Sequence, residues 1–148
     1  MATVTTTTRA MGVDLGSKRI GLALSDPTRV VASPHEVLQR GRDHGTDHAA
    51  IVNAAREAGA TTIVVGLPLS LSGAIGPAAK ATLAEVEELR AVAEPVGIAV
   101  VAYDERLTTI TAERALNEAR MRREARRRVV DKVAAAVMLQ SWLDGAQT

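Results

Sequence analysis

The sequence predicts an α/β fold, a five-stranded mixed sheet flanked by helices, with three antiparallel strands first and parallel crossovers after them. Three observations carry that expectation. Short strand-like segments separated by tight turns fill residues 10–38, the pattern of an antiparallel meander. A continuous β-branched run, Thr61–Val65, and a second strand-like run, Ile98–Tyr103, then alternate with helical periodicity, as in strands buried on both faces and joined by right-handed crossovers. The end of the chain, Val129–Leu143, is apolar almost all round a helix, so it should be buried.

Each element has a local reason. Ala10–Asp14 reads as an apolar strand ending in an acid, and Gly16-Ser17-Lys18-Arg19 supplies a turn. Ile20–Ser25 returns as a strand, with Leu22 and Leu24 on one face and Gly21 and Ala23 on the other. Asp26-Pro27-Thr28 is a turn, because Pro presets φ and Asp bonds its own backbone. Val30–Leu38 makes a third strand, interrupted or frayed at Pro34. His48–Ala58 carries Ile51, Val52 and Ala55 at helical spacing and stops at Gly59. After the strand Thr61–Val65 comes a loop, 66–76, with Pro68, Gly73 and Gly76. Pro77–Ala93 is a helix presenting Leu83, Val86 and Leu89, and Thr108–Ala119 is expected to be another. Residues 1–9, mostly threonine, are expected to form a flexible tail, and 10–148 a single domain.

The 148 residues contain one Trp, one Tyr and no Phe, so the core must be aliphatic, and recognition by stacking bases on several rings is excluded. With no cysteine there is no disulfide, thiolate zinc site or cysteine nucleophile. No stretch has signal-peptide or membrane-spanning character, which favours a cytoplasmic protein without a membrane partner. The net charge of +1 conceals an uneven distribution. Residues 120–128 hold six Arg and one Glu, a local charge of +5, which leaves −4 for the rest of the chain. A mildly acidic body with one concentrated basic element is compatible with a polyanion partner.

Among the acids, Asp14 ends the first strand, Asp104 and Glu105 follow the last, and Asp131 sits in the final apolar helix. Carboxylates at adjacent strand ends and on a packed helix can converge, and such a cluster repels itself unless a cation occupies it. Oxygen donors suit Mg²⁺ or Mn²⁺, and two such ions can activate water and stabilise the leaving oxygen in phosphodiester cleavage. The plainer alternative is a set of strand-end and cap residues. The segment Arg120–Arg128 is either a solvated charged turn or a phosphate contact through Arg122, Arg123, Arg126, Arg127 and Arg128. Lys18 and Arg19, in the turn after Asp14, can also approach a phosphate, and the Thr108 and Thr109 hydroxyls can cap a helix or do the same. That acid–glycine turn resembles the opening hairpin of actin-like ATPases, which need a second domain, and 66–80 lacks a P-loop. His44 and His48, four apart, have a zinc-ligand spacing, but no third ligand is evident from sequence.

Asp14-Leu15-Gly16-Ser17-Lys18-Arg19-Ile20-Gly21-Leu22-Ala23, Val65-Gly66-Leu67-Pro68-Leu69, Asp104-Glu105-Arg106-Leu107-Thr108-Thr109 and Val130-Asp131-Lys132-Val133-Ala134-Ala135 together resemble the YqgF family, also called RuvX. The blocks occur in the family's order and span the chain from about Arg9 onward. The resemblance implies a ribonuclease H-like fold and a metal-dependent nuclease. The family is described both as a Holliday junction resolvase and as a nuclease maturing the 5′ end of 16S ribosomal RNA. By matching position it implies Asp14, Glu105 and Asp131 as catalytic acids and metal ligands. Asp104 is a weaker candidate, because it should face away from Glu105. One departure stands out: the family's Asn and acidic residue after Leu-Pro-Leu are replaced here by Ser70-Leu71-Ser72-Gly73-Ala74.

The expected function is therefore a Mg²⁺- or Mn²⁺-dependent endonuclease acting on structured RNA, most simply precursor 16S rRNA in ribosome biogenesis. The rivals are a resolvase of branched, four-way DNA, which needs a symmetric dimer, and a non-catalytic nucleic-acid or ribosome-binding protein. A monomer or a homodimer is compatible with the sequence.

Overall fold

A computed structural model describes residues 8–68, 75–104 and 123–146. The elements are β1 (Arg9–Leu15), β2 (Arg19–Ser25), β3 (Ala32–Gln39), α1 (His44–Ala58), β4 (Ala60–Leu67), α2 (Pro77–Ala93), β5 (Ala99–Asp104) and α3 (Arg123–Ala146). The five strands form one sheet in the order β3-β2-β1-β4-β5. β1–β2 and β2–β3 are antiparallel, and β1–β4 and β4–β5 are parallel. This is the expected meander followed by crossovers, with β1 at the centre.

Alternation along the strands sorts the sheet into two unlike faces. Met11 and Val13 of β1, Ile20 and Leu22 of β2, and Ile63 and Val65 of β4 pack with Ile51 of α1 and with Val86 and Leu89 of α2. The other face presents Ala10, Ala23 and Val64 to Ala135, Met138, Leu139 and Leu143 of α3. Its residues are smaller because α3 lies close. A Cβ added to Gly12 would stand 2.9 Å from both the Ala135 carbonyl oxygen and the Leu139 Cβ, so the bare backbone of β1 is what lets α3 seat.

Boundaries differ from the sequence expectation where pairing or capping extends an element. β1 takes in Arg9, opposite Ala60, and the Thr8 carbonyl accepts from Arg29 Nε at 2.7 Å, so the expected tail joins the fold at its last two residues. Pro34 does not break β3. It sits on an edge strand at a register shift opposite Leu22 and Ala23, where no ladder N–H is required. α1 starts at His44, four residues early, because Asp43 caps it by accepting from the Thr46 N–H at 2.7 Å. α3 begins at Arg123, so Arg126, Arg127 and Arg128 lie in a helix rather than in a charged turn. The helix expected over 108–119 lies outside the described residues. Among the described residues no helix is long and apolar enough to cross a membrane.

Candidate functional site

Asp14 is half-buried near the C-terminal end of the central strand, opposite Gly21. It is two residues beyond Gly12, so it lies on the face covered by α3. Its neighbours on that face, Gly12 along β1 and Gly21 across in β2, carry no side chain. The direction of α3 follows from its contacts. Gln140 is bonded at 2.8 Å to both the Ala32 N–H and the Val30 carbonyl. Ala32 pairs with Ser25, whose Oγ accepts from the Ala10 N–H at 2.8 Å, so this end of α3 lies at the start of β1. Ala135 lies further along, against Gly12, and α3 therefore runs antiparallel to β1. One turn before Ala135 is position 131, on the side toward Asp14.

The turn after Asp14 is tight. Gly16 N–H is shared between the Asp14 carbonyl, at 3.1 Å, and the Arg19 carbonyl, at 2.9 Å. A Cβ on Gly16 would come within 2.5 Å of the Arg19 oxygen. Lys18 is exposed at the tip, and Arg19 opens β2 opposite Gln39. Asp104 ends β5 opposite Leu67. It shares the alternation of Val100 and so belongs to the α1–α2 face, away from Asp14. Glu105, Thr108, Thr109 and Arg122 lie outside the described residues, and α3 carries Arg123, Arg126, Arg127, Arg128 and Asp131 in its first turns.

A polar cluster of which the sequence marks only His44 and His48 occupies the opposite face. Arg40, just after β3, donates from Nη1 and Nη2 to the two carboxylate oxygens of Glu85 on α2, at 2.6 and 3.0 Å. Nη1 also donates to Asp47 on α1, at 3.2 Å, and Nε to the Gly16 carbonyl, at 2.9 Å. The Arg40 N–H reaches the Lys18 carbonyl at 3.0 Å. One guanidinium thus joins both helices to the turn that follows Asp14. His48 Nε2 lies 2.8 Å from Glu85 Oε2, and His44 Nδ1 lies 2.8 Å from Glu88 Oε1. Asp47, His48 and Glu85 are all buried. Burial opposes the charged form of Glu85, but the bonds from Arg40 and His48 outweigh it and hold the carboxyl below its ordinary range. The bond to Glu85 raises Arg40 in turn, and the bond to Glu88 raises His44. Periodicity did mark α1 and α2 as amphipathic. It could not reveal that Asp47, His48 and Glu85 fall on their inner faces and face one another.

The family model described as "RuvX: Holliday junction resolvase" matches residues 8–145. The chain belongs to the RuvX family. A relative from Kineococcus radiotolerans is 46% identical over 139 residues, covering 93% of this chain and 72% of the relative. Another from Roseiflexus sp. is 43% identical, covering 92% of this chain and 94% of the relative. Both carry the name "Putative pre-16S rRNA nuclease". The fold is that of the RuvC resolvases. Thermus thermophilus RuvC in complex with Holliday junction substrate aligns with a TM-score of 0.59 at 16% identity, covering 95% of this chain and 96% of that one. The yeast mitochondrial resolvase Ydc2 aligns at 0.52 and 12%, covering 96% and 80%. This RuvX-family chain is a phosphodiester-cleaving hydrolase.

Proposed function

We propose that the chain is a Mg²⁺- or Mn²⁺-dependent endonuclease that acts in 5′-end maturation of precursor 16S rRNA. The observation that carries the reading is the position of Asp14: a half-buried carboxylate at the end of the central strand, on the face along which α3 runs antiparallel. The donor set suits a hard divalent cation, since the acids proposed as ligands offer oxygen alone. Asp14, Glu105 and Asp131 would hold it. Position 131 is one helical turn from Ala135, and Glu105 is two residues beyond Tyr103, which shares the α3 side of the sheet. When bound, such ions supply an activated water and stabilise the leaving oxygen.

The chain's other residues bind and orient. Lys18 and Arg19 offer cations beside the turn held by Gly16, and Arg40 braces that turn from below through the Gly16 and Lys18 carbonyls. Arg122, Arg123, Arg126, Arg127 and Arg128, with Thr108 and Thr109, hold backbone phosphates. The pre-16S rRNA nuclease name of the relatives supports RNA as substrate. The description of the matching family model favours a second reading, cleavage of four-way DNA, which needs a two-fold dimer with one site per cut strand.

The deciding experiment incubates the protein with precursor 16S RNA and with a four-way DNA junction in Mn²⁺, alongside Asp14→Asn. Cleavage of the RNA by wild type alone is the expected result. Symmetric cutting of the junction by a dimer would transfer the assignment to the second reading. Binding of either substrate without cleavage would make the chain a non-catalytic binding protein.

A further inference from the structure

We propose that His44, His48 and Glu85 form a zinc-binding site that fastens α1 to α2 on the sheet face opposite Asp14. One donor atom from each residue lies within 4.8 Å of the others. His48 Nε2 and Glu85 Oε2, at 2.8 Å, are already near the roughly 3.3 Å that separates ligands around a tetrahedral ion with bonds of about 2.0–2.1 Å. His48 and Glu85 are buried, whereas the His44 side chain is 54% exposed. The exposed ring marks the side from which an ion enters. Two imidazoles and one carboxylate, with a fourth position left to water, is a donor set that zinc accepts.

The surroundings resemble those of a metal site more than those of a plain ion pair. Glu88 accepts at His44 Nδ1, which leaves Nε2 as the nitrogen available to an ion, and Arg40 holds both oxygens of Glu85. Outer partners of this kind orient metal ligands. The charges also leave room for a dication. Asp47, Glu85 and Glu88 outnumber the one guanidinium of Arg40, and Asp43 also acts on His44, so a cation is electrostatically favoured there.

The site is independent of the nuclease reading, so its test is run on the full chain carrying Asp14→Asn. Titration with Co²⁺ alone, followed by visible absorption, should show one ion binding with the intense bands of a four-coordinate site containing nitrogen. Zn²⁺ should displace it and raise Tm by about 5 °C or more at saturation. His44 is exposed and opens its helix, so His44→Ala should fold normally. It should weaken Co²⁺ binding by at least about tenfold, and Glu88→Gln by a smaller factor. His35→Ala, which removes the remaining histidine, should leave binding unchanged. Absence of the four-coordinate bands, or equally tight binding by His44→Ala, would overturn the proposal and leave the cluster as a structural ion-pair network.

Discussion

The two faces of the sheet solve different problems. The α1–α2 face is filled with Met, Leu, Ile and Val and bridged by a buried ionic cluster around Arg40. The α3 face is built from Gly and Ala where it meets the helix, and it carries Asp14. On the first face the charges find each other: a bidentate Arg–Glu pair, a second carboxylate and a histidine satisfy one another inside the protein. On the second, small residues bring a helix close to the strand end, and the acids there are proposed to meet a metal and a substrate. The comparison suggests that the first face holds the shape and the second does the chemistry, with the Arg40–Gly16 bond connecting them.

Four experiments test that division. The largest effect is expected for Asp14→Asn. Cleavage should fall by about 10³-fold or more while Tm stays near wild type. Activity assays and thermal melts check it, and retained cleavage would move the chemistry away from this face. Next is Arg40→Ala, which strands the buried carboxylates of Glu85 and Asp47. It should cost about 3–5 kcal/mol in urea unfolding, because a buried charge loses its partner. Arg40→Lys should recover only part of this, since an ammonium cannot make the two-pronged contact.

Gly12→Ala follows, expected to cost about 1–3 kcal/mol by forcing α3 off β1, with the added methyl 2.9 Å from the Ala135 oxygen. If the faces are as unlike as proposed, this substitution should also depress cleavage, by shifting α3 relative to Asp14. The smallest effect concerns pH. Glu85 has its carboxyl held below the ordinary value, so its contribution to stability is present above the unfolded pKa. It is lost as pH falls through the folded pKa. Wild type should therefore lose stability on the acid side more steeply than Glu85→Gln. Equal slopes in pH-dependent unfolding would remove Glu85 from the account.

Much of this was legible locally. The alternation of Leu22 and Leu24 against Gly21 and Ala23 survives as the two sides of β2, and the β-branched run at 61–65 is indeed an interior strand. Apolar periodicity starts α1 only at His48, because the Asp43 cap lies before the first apolar residue, and so leaves Asp47 outside the helix. Pro34 predicts an interrupted or frayed strand, because a sequence does not say which strand lies at an edge. The zinc spacing of His44 and His48 lacked a third ligand because Glu85 stands 37 residues from His48.

Sequence alone was enough for the order of the five strands and of α1, α2 and α3, the strand-end position of Asp14, the basic segment and the family resemblance. Each depends on period, composition or a contiguous motif, and so on residues a few positions apart. The tertiary structure alone decided that α1 and α2 share a face, that Arg40 reaches Glu85, Asp47 and Gly16 at once, and that Gly12 exists to admit α3. Those facts depend on which elements become neighbours, and that follows from burying both faces of the sheet together rather than from any one segment.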